Sequence, residues 1–238
     1  MSKENDLRFL RRALALAGRT PPRDISPNPR VGCVLGKNDR VIAQAAHRRF
    51  GGPHAEALAL AGKHARGATA YITMEPCAPF ERKKTPSCAV ALARAGVSRV
   101  VCATLDPNPA VSGRGLALLR RAGVKTERLP LQDEAESLNR GFFSLMRRGR
   151  PWVVMKTALS LDGKAAAASG RSRWVTGAKA RAAGHAMRAE FDAILVGAGT
   201  VRADDPALTS HGAGPDPLRV VLAGRKRLPR RARIFAGR

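Results

Sequence analysis

Aromatic rings are scarce in this chain: one Tyr, two Trp and seven Phe among 238 residues, or 4% of the whole. Proteins that grip single-stranded nucleic acid stack bases on such rings, so their scarcity weighs against that class despite a net charge of +25. Acidic residues are also few, 18 against 43 Lys and Arg. The cations lie scattered, as Arg11-Arg12, Arg48-Arg49, Arg82-Lys83-Lys84, Arg147-Arg148 and Arg225-Lys226-Arg227, and form no single stripe. Such a balance attracts phosphate, acidic lipid or nucleic acid without selecting among them. Only four cysteines occur, too few to argue for a disulfide framework, so a reducing, cytoplasmic setting is expected. No apolar run reaches the ~18 residues that a membrane helix needs, and no membrane partner is expected. Leu7 to Ala17 is interrupted by Arg8, Arg11 and Arg12 and reads as an amphipathic helix, not a signal peptide.

Against these absences, the stretch from Pro53 to Cys88 is dense in chemistry. His54, Cys77 and Cys88 offer one imidazole and two thiols, three zinc ligands that leave a fourth tetrahedral position for water, as catalytic sites do. Glu56, two residues past His54, is too close to be an ordinary fourth ligand. It stands where it can carry a proton between water and a leaving group. The order His-x-Glu, Pro-Cys, Cys is the grammar of zinc deaminases that act on bases. Both cysteines and His54 are expected beside helix starts, where unpaired N–H groups favour thiolate, with Pro76 at a strand-to-helix corner. Cys33 and Cys102 each sit inside an apolar run and read as core packing.

Along the chain, strands alternate with helices. Helices are expected over Asp6 to Ala17, from Ala55 to about Ala61 or Lys63, over Cys88 to Ala95, Leu116 to Ala122, Glu134 to Leu145 and Lys179 to Glu190. Strands are expected over Val31 to Leu35 and Val41 to Ala45 as a hairpin, then Thr69 to Met74, Arg99 to Ala103, Val124 to Leu129, Val153 to Lys156, Ala193 to Val196 and Leu218 to Leu222. Gly197 to Thr200 reads as a glycine-rich turn; it lacks the third glycine of the dinucleotide fingerprint and is a weak cofactor signal. The pattern is that of an α/β sheet layered with helices. Met146 to Pro151, with Gly149 and a following apolar run, marks the expected boundary between domains at 1–147 and 151–238.

Asn28-Pro-Arg-Val-Gly32, His47, His54-Ala-Glu56, Glu75-Pro-Cys77 and Asp106-Pro-Asn-Pro109 together resemble the bifunctional riboflavin-biosynthesis deaminase/reductase family. Gly113-Arg-Gly115, Leu138-Asn-Arg-Gly-Phe142, Ser160-Leu-Asp-Gly163, Trp174-Val-Thr-Gly177 and Gly199 to Pro206 extend the likeness over nearly the whole chain. Ten residues separate Cys77 from Cys88, whereas tRNA-adenosine and cytidine-type deaminases place two between their thiols. The resemblance implies a cytidine-deaminase-like layered sheet with helices on both faces, followed by a partial α/β domain similar to dihydrofolate reductase. It implies Zn2+ on His54, Cys77 and Cys88, with Glu56 as proton carrier in the deamination of a 2,5-diamino-6-ribosylaminopyrimidinone 5′-phosphate. Asn28, His47 and Lys84 would contact that phosphorylated pyrimidine. In the second domain the same likeness implies NADPH contacts at Ala158, Trp174, Thr200 and Asp204. Ser172, Arg188, Leu208 and His211 would hold the substrate there.

Three departures from the family pattern qualify these expectations. Ala78 to Lys84 lacks the histidine pair of the family's inter-cysteine loop and is two residues longer, which bears on substrate recognition more than on zinc. Ala223-Gly224 stand where the family carries Asp-Ser. The chain also stops before the family's last strands and cofactor-cradling loop, so the reductase half is expected to be incomplete and inactive unless a second chain completes it. Two other functions stay open at this point: a nucleic-acid deaminase, supported by charge and by Arg82-Lys83-Lys84, and a catalytically silent basic binding protein. A homo-oligomer is also left open.

Overall fold

The structure is a computed structural model, described here for residues 2–79, 86–172, 174–225 and 227–236. The chain divides into two compact units, Met1–Val153 and Val154–Arg238.

The first unit begins with α1 (Lys3–Gly18), capped by the Ser2 hydroxyl accepting from the Asn5 N–H, and a single turn, α2 (Pro22–Ile25). A hairpin follows, β1 (Gly32–Lys37) and β2 (Arg40–Ala46). Asn38 and Asp39 form its turn, both at positive φ, the conformation that Asn and Asp tolerate best among residues with a Cβ. The chain continues through α3 (Ala55–Leu60), β3 (Thr69–Met74), α4 (Cys88–Arg94), β4 (Arg99–Thr104), α5 (Arg114–Arg121), β5 (Lys125–Arg128), α6 (Gln132–Leu138) and α7 (Arg140–Arg148). The sheet order is β2-β1-β3-β4-β5. β1 pairs antiparallel with both β2 and β3, while β3, β4 and β5 run parallel.

Successive side chains of a strand point to opposite faces, and here both faces are covered. Cys33, Leu35, Ala70, Ile72, Val100 and Cys102 pack with residues of α3, α4 and α5. Val34, Tyr71, Val101 and Ala103 pack on the other side with Phe9, Leu10 and Ala13 of α1 and Ala135 of α6. That explains why β3 is buried at every position, as strands covered on both faces are. The approach of α1 to the sheet is close: a Cβ on Gly32 would lie 2.1 Å from the Ala13 carbonyl oxygen. Cys33 and Cys102 are fully buried, in keeping with their reading as packing residues. The edge strand β5 carries Lys125, Thr126, Glu127 and Arg128 and is only partly covered.

The second unit contains α8 (Ala178–Glu190), β6 (Ala193–Gly197), α9 (Ala198–Asp204) and β7 (Leu218–Leu222), with β6 and β7 paired in parallel. Its core is small: Val201, Leu208, Ala232 and Ile234, with Ile194, Val196 and Val221 packed against them. Among the described residues, no helix is long and apolar enough to cross a membrane.

Three expectations about elements need correction. Glu134 to Leu145 is not one helix; it breaks at Asn139, where φ is −123° and ψ is 29°, because the Asn139 side chain is engaged elsewhere in the fold. Val153 to Lys156 forms no strand: apolar residues alone do not make one without a partner to satisfy the backbone. Gly197 to Thr200 is not a turn, because Ala198 begins α9 and the glycine-rich stretch is a helix start.

Candidate metal and deamination site

The site lies where β3 and β4 end and α3 and α4 begin. His54 immediately precedes α3 in extended conformation (φ −70°, ψ 160°), and Glu56 falls in the first helical turn. Cys88 is the first residue of α4, whose cap is Ser87: its hydroxyl accepts from the Val90 N–H at 3.4 Å and donates to the Cys77 carbonyl at 2.8 Å. Ser87 thus joins the two cysteine segments.

Cys77 corrects one expectation. It sits in irregular backbone and not at a helix start, yet its sulfur still receives a helix N–H, that of Cys88, at 3.3 Å. The Cys77 thiol is drawn down to about 3, chiefly by the Cys88 thiol and then by His54 and the Cys88 N–H, against the opposing effect of burial.

The ligand atoms of His54, Cys77 and Cys88 lie within 4.8 Å of one another. His54 Nδ1 is 3.6 Å from Cys77 Sγ and 3.3 Å from Cys88 Sγ. A tetrahedral zinc with bonds of about 2.0–2.1 Å to nitrogen and 2.3 Å to sulfur separates such ligands by roughly 3.5 Å. The donor set and its spacing therefore fit zinc.

Glu56 is 3% exposed, and its Oε2 has no hydrogen-bond partner among the described residues. Burial raises its carboxyl to about 7, with the Cys77 charge adding to the effect. An unpaired buried carboxylate oxygen costs roughly 1–3 kcal/mol or more, a cost met when something else occupies the space it faces.

His47 shows the same pattern. Its Nδ1 lies 2.9 Å from the Pro53 carbonyl, its ring stands edge-on to His54 at 5.4 Å, and its Nε2 is buried without a partner among the described residues. Burial lowers its pKa, so the neutral ring donates from Nδ1 and leaves Nε2 as an acceptor. Asn28 is half-buried, in the segment leading to β1. Lys84 lies outside the described residues.

Two residues quoted in motifs but given no role prove to be structural neighbours of the cage. Glu75, between β3 and Cys77, is buried and accepts backbone N–H groups from Gly113 at 2.8 Å, Leu116 at 3.1 Å and Asp106 at 3.4 Å. It ties the metal-ligand segment to the start of α5. Asp106, also buried, accepts the Asn108 N–H at 2.8 Å, and burial lifts its carboxyl to about 6. The signal available for Glu75 was its place directly before Pro-Cys, where a carboxylate has no solvent to face.

In the second unit, an open concavity of about 650 Å³ is lined by Ser160, Lys164, Arg171, Ser172, Trp174 and neighbours. Ser172 and Trp174 meet there, Trp174 being 70% exposed with the Arg181 guanidinium 4.2 Å from its ring centre. Arg188 donates to the Thr209 carbonyl at 2.9 Å and lies 3.3 Å from His185 Nδ1, while the His185 and His211 rings are 4.1 Å apart. Arg188 and the turn bearing Leu208 and His211 thus come together. Ala158 is half-buried, Thr200 is exposed on α9 and Asp204 closes that helix.

This sheet, helix-covered on both faces, with an imidazole, two thiols and a buried carboxylate at its strand ends, defines a protein of the cytidine-deaminase-like zinc class. Residues 3–104 match the cytidine and deoxycytidylate deaminase zinc-binding region, and residues 151–238 match the RibD C-terminal domain. Riboflavin biosynthesis protein RibD of Haemophilus influenzae is 49% identical over 205 residues, covering 85% of this chain and 54% of the relative. The Escherichia coli protein of the same name is 45% identical, covering 95% and 61%. Among solved structures, Acinetobacter baumannii RibD superposes with a TM-score of 0.88 at 44% identity, covering 97% of this chain and 67% of that one. A Thermotoga maritima diaminohydroxyphosphoribosylaminopyrimidine deaminase/5-amino-6-(5-phosphoribosylamino)uracil reductase gives 0.86 at 38%, covering 98% and 67%. The chain belongs to the RibD family. It spans 54% and 61% of the length of the two curated relatives named.

Proposed function

We propose that the first unit, taken as residues 1–147, catalyses the hydrolytic deamination of a free phosphorylated pyrimidine in riboflavin biosynthesis. The substrate would be 2,5-diamino-6-ribosylamino-4(3H)-pyrimidinone 5′-phosphate and the product 5-amino-6-ribosylaminouracil 5′-phosphate. The observation that carries this reading is the buried Glu56 Oε2, without a hydrogen-bond partner among the described residues, in a chain whose His54, Cys77 and Cys88 form a cage of zinc dimensions.

His54 Nδ1 and the sulfurs of Cys77 and Cys88 would hold the zinc. When bound, the metal supplies the Lewis acidity that lets water act as a nucleophile near neutral pH. Glu56 takes the proton from the attacking water and returns it to the amine that departs. A C–O bond forms, the C–N bond breaks, water is consumed and ammonia leaves. The His47 Nε2 acceptor and Asn28 orient the ring and its ribose phosphate, and Lys84 is assigned to the same substrate by family pattern.

The second unit, taken as 151–238, is assigned by family pattern the NADPH and substrate contacts of a ribosyl reductase. Trp174 and the cationic Lys164 and Arg171 around its concavity suit a flat, phosphorylated cofactor. Ala158, Thr200 and Asp204 complete the proposed cofactor contacts, and Ser172, Arg188, Leu208 and His211 hold the substrate. A cytoplasmic setting accords with cage cysteines that form no disulfide among the described residues.

Ammonia release from the free nucleotide, measured beside tRNA and single-stranded DNA, tests the reading. Release is expected from the nucleotide alone. Glu56→Ala should lower kcat by about 10²–10⁴-fold with zinc retained. Release from nucleic acid in place of the nucleotide would move the chain to a different substrate class, and equal release from both proteins would remove Glu56 from its role.

A further inference from the structure

The Leu138-Asn-Arg-Gly-Phe142 stretch contributes nothing to the metal cage, yet Asn139 is buried and its side chain is fully engaged. Asn139 Oδ1 accepts the Arg30 N–H at 2.7 Å, and Asn139 Nδ2 donates to the Arg30 carbonyl at 3.0 Å. Nδ2 also lies 3.3 Å from the Ala135 carbonyl. The side-chain amide therefore pairs with both backbone groups of one residue, as a neighbouring strand would, across 109 positions of sequence. The Arg30 guanidinium in turn donates to the Leu138 carbonyl. Such a contact is a poor use of a helix interior, which is why the helical run stops there.

What Arg30 carries explains the consequence. Asn28 is two residues before it. Val31, the next residue, accepts the His47 N–H on its carbonyl at 2.8 Å, and Thr20 Oγ1 donates to the His47 carbonyl at 3.1 Å. The His47 ring reaches the zinc ligand His54 at 5.4 Å. Asn139 is thus one residue and one hydrogen bond from the backbone that aims His47, and it fixes the segment that presents Asn28.

We propose that Asn139 is a positioning residue for the deamination: it clamps the 28–31 segment so that Asn28 and the His47 Nε2 acceptor meet the substrate in register, without itself touching substrate or zinc. The proposal rests on the functional reading above. Because the clamp acts on residues that bind the substrate and not on the cage or on Glu56, its loss falls on KM and spares kcat and the metal.

The test compares wild type, Asn139→Ala and Asn139→Asp in the full chain. Readouts are zinc content, steady-state ammonia release from the pyrimidine nucleotide, and hydrogen exchange at the Arg30 amide. For Asn139→Ala the expected result is an unchanged zinc content, a KM raised about tenfold or more with kcat within about threefold, and lost protection at Arg30. Asn139→Asp keeps the acceptor for the Arg30 N–H and loses the donor to its carbonyl, so protection should persist while KM falls between the other two. If the alanine variant fails to load zinc, the aspartate variant decides alone. A zinc-loaded variant with wild-type KM, or one in which kcat falls and KM does not, overturns the proposal. The exchange experiment needs no substrate, so an inactive wild type would refute the functional reading while the clamp itself is still judged on Arg30.

Discussion

Cys88 directs its backbone N–H at the Cys77 sulfur across 3.3 Å, so the helix that begins with one metal ligand also solvates the other. Together with Ser87, which bridges to the Cys77 carbonyl, this preorganises two thiols that belong to different segments. About one zinc per chain is expected by metal analysis, and His54→Ala, Cys77→Ser and Cys88→Ser should each abolish stoichiometric binding at neutral pH. Cys33→Ser and Cys102→Ser should leave the metal in place. Retention of a full equivalent by any of the three ligand variants would count against the cage.

Gly115 is the point where α5 touches the metal-ligand segment. A Cβ there would lie 1.8 Å from the Pro76 carbonyl oxygen and 3.3 Å from Glu75 Oε1. Backbone cannot yield as a side-chain tip can, so Gly115→Ala should destabilise the first unit by about 3 kcal/mol or more, near or beyond the upper range for overpacking. Urea denaturation reads the loss, and zinc binding should weaken with it. Gly123→Ala is not the control, since Gly123 has positive φ. Gly141→Ala is, with nothing near its Cβ position and helical backbone around it, and it should be neutral or slightly stabilising.

A second network, remote from the cage, sets an acid limit. Asp6 of α1 receives Arg99 on both oxygens, at 3.0 and 2.7 Å, and the Tyr71 hydroxyl at 2.6 Å. Burial alone would raise the Asp6 carboxyl, but these donors outweigh it and hold it below its ordinary value of 3.8. A depressed carboxyl stabilises the fold above its unfolded pKa, and that contribution is lost as the pH falls through the folded value. Asp6→Asn should therefore be less stable than wild type at pH 7 by about 1.5–3 kcal/mol, the range for hydrogen bonds to a charged group. The gap should close below about pH 4. A gap that stays constant from pH 7 to pH 3 would dissociate this carboxylate from the acid limb.

The parts of the fold legible in the sequence were those whose cause is local. The apolar run from Thr69 to Met74 and the glycines after α4 and α5 mark their elements directly, and β3 occupies the expected residues. The cage was legible because His-x-Glu and Pro-Cys fix residue types at short spacing, and the structure brings His54, Cys77 and Cys88 together. Tertiary causes stayed hidden. Nothing near Asn139 announces that its amide is committed to Arg30, so one helix was expected where two occur. Glu75 was quoted only within Glu75-Pro-Cys77 and given no role, and the approach of Gly113 and Leu116 at the start of α5 shows what its carboxylate holds. Val153 to Lys156 satisfied a strand pattern, but no strand among the described residues pairs with it.

The polar edge strand β5 has a consequence for how copies of the chain behave in concentrated solution. A parallel edge with free backbone groups invites a further strand from another molecule, and lysines and other charges along it are a common deterrent. Lys125, Glu127 and Arg128 furnish that deterrent here, with Glu127 also bound to Arg99. Replacing them with valine or threonine would make the exposed rim a template, and the first sign would be fibrillar growth of an otherwise intact protein.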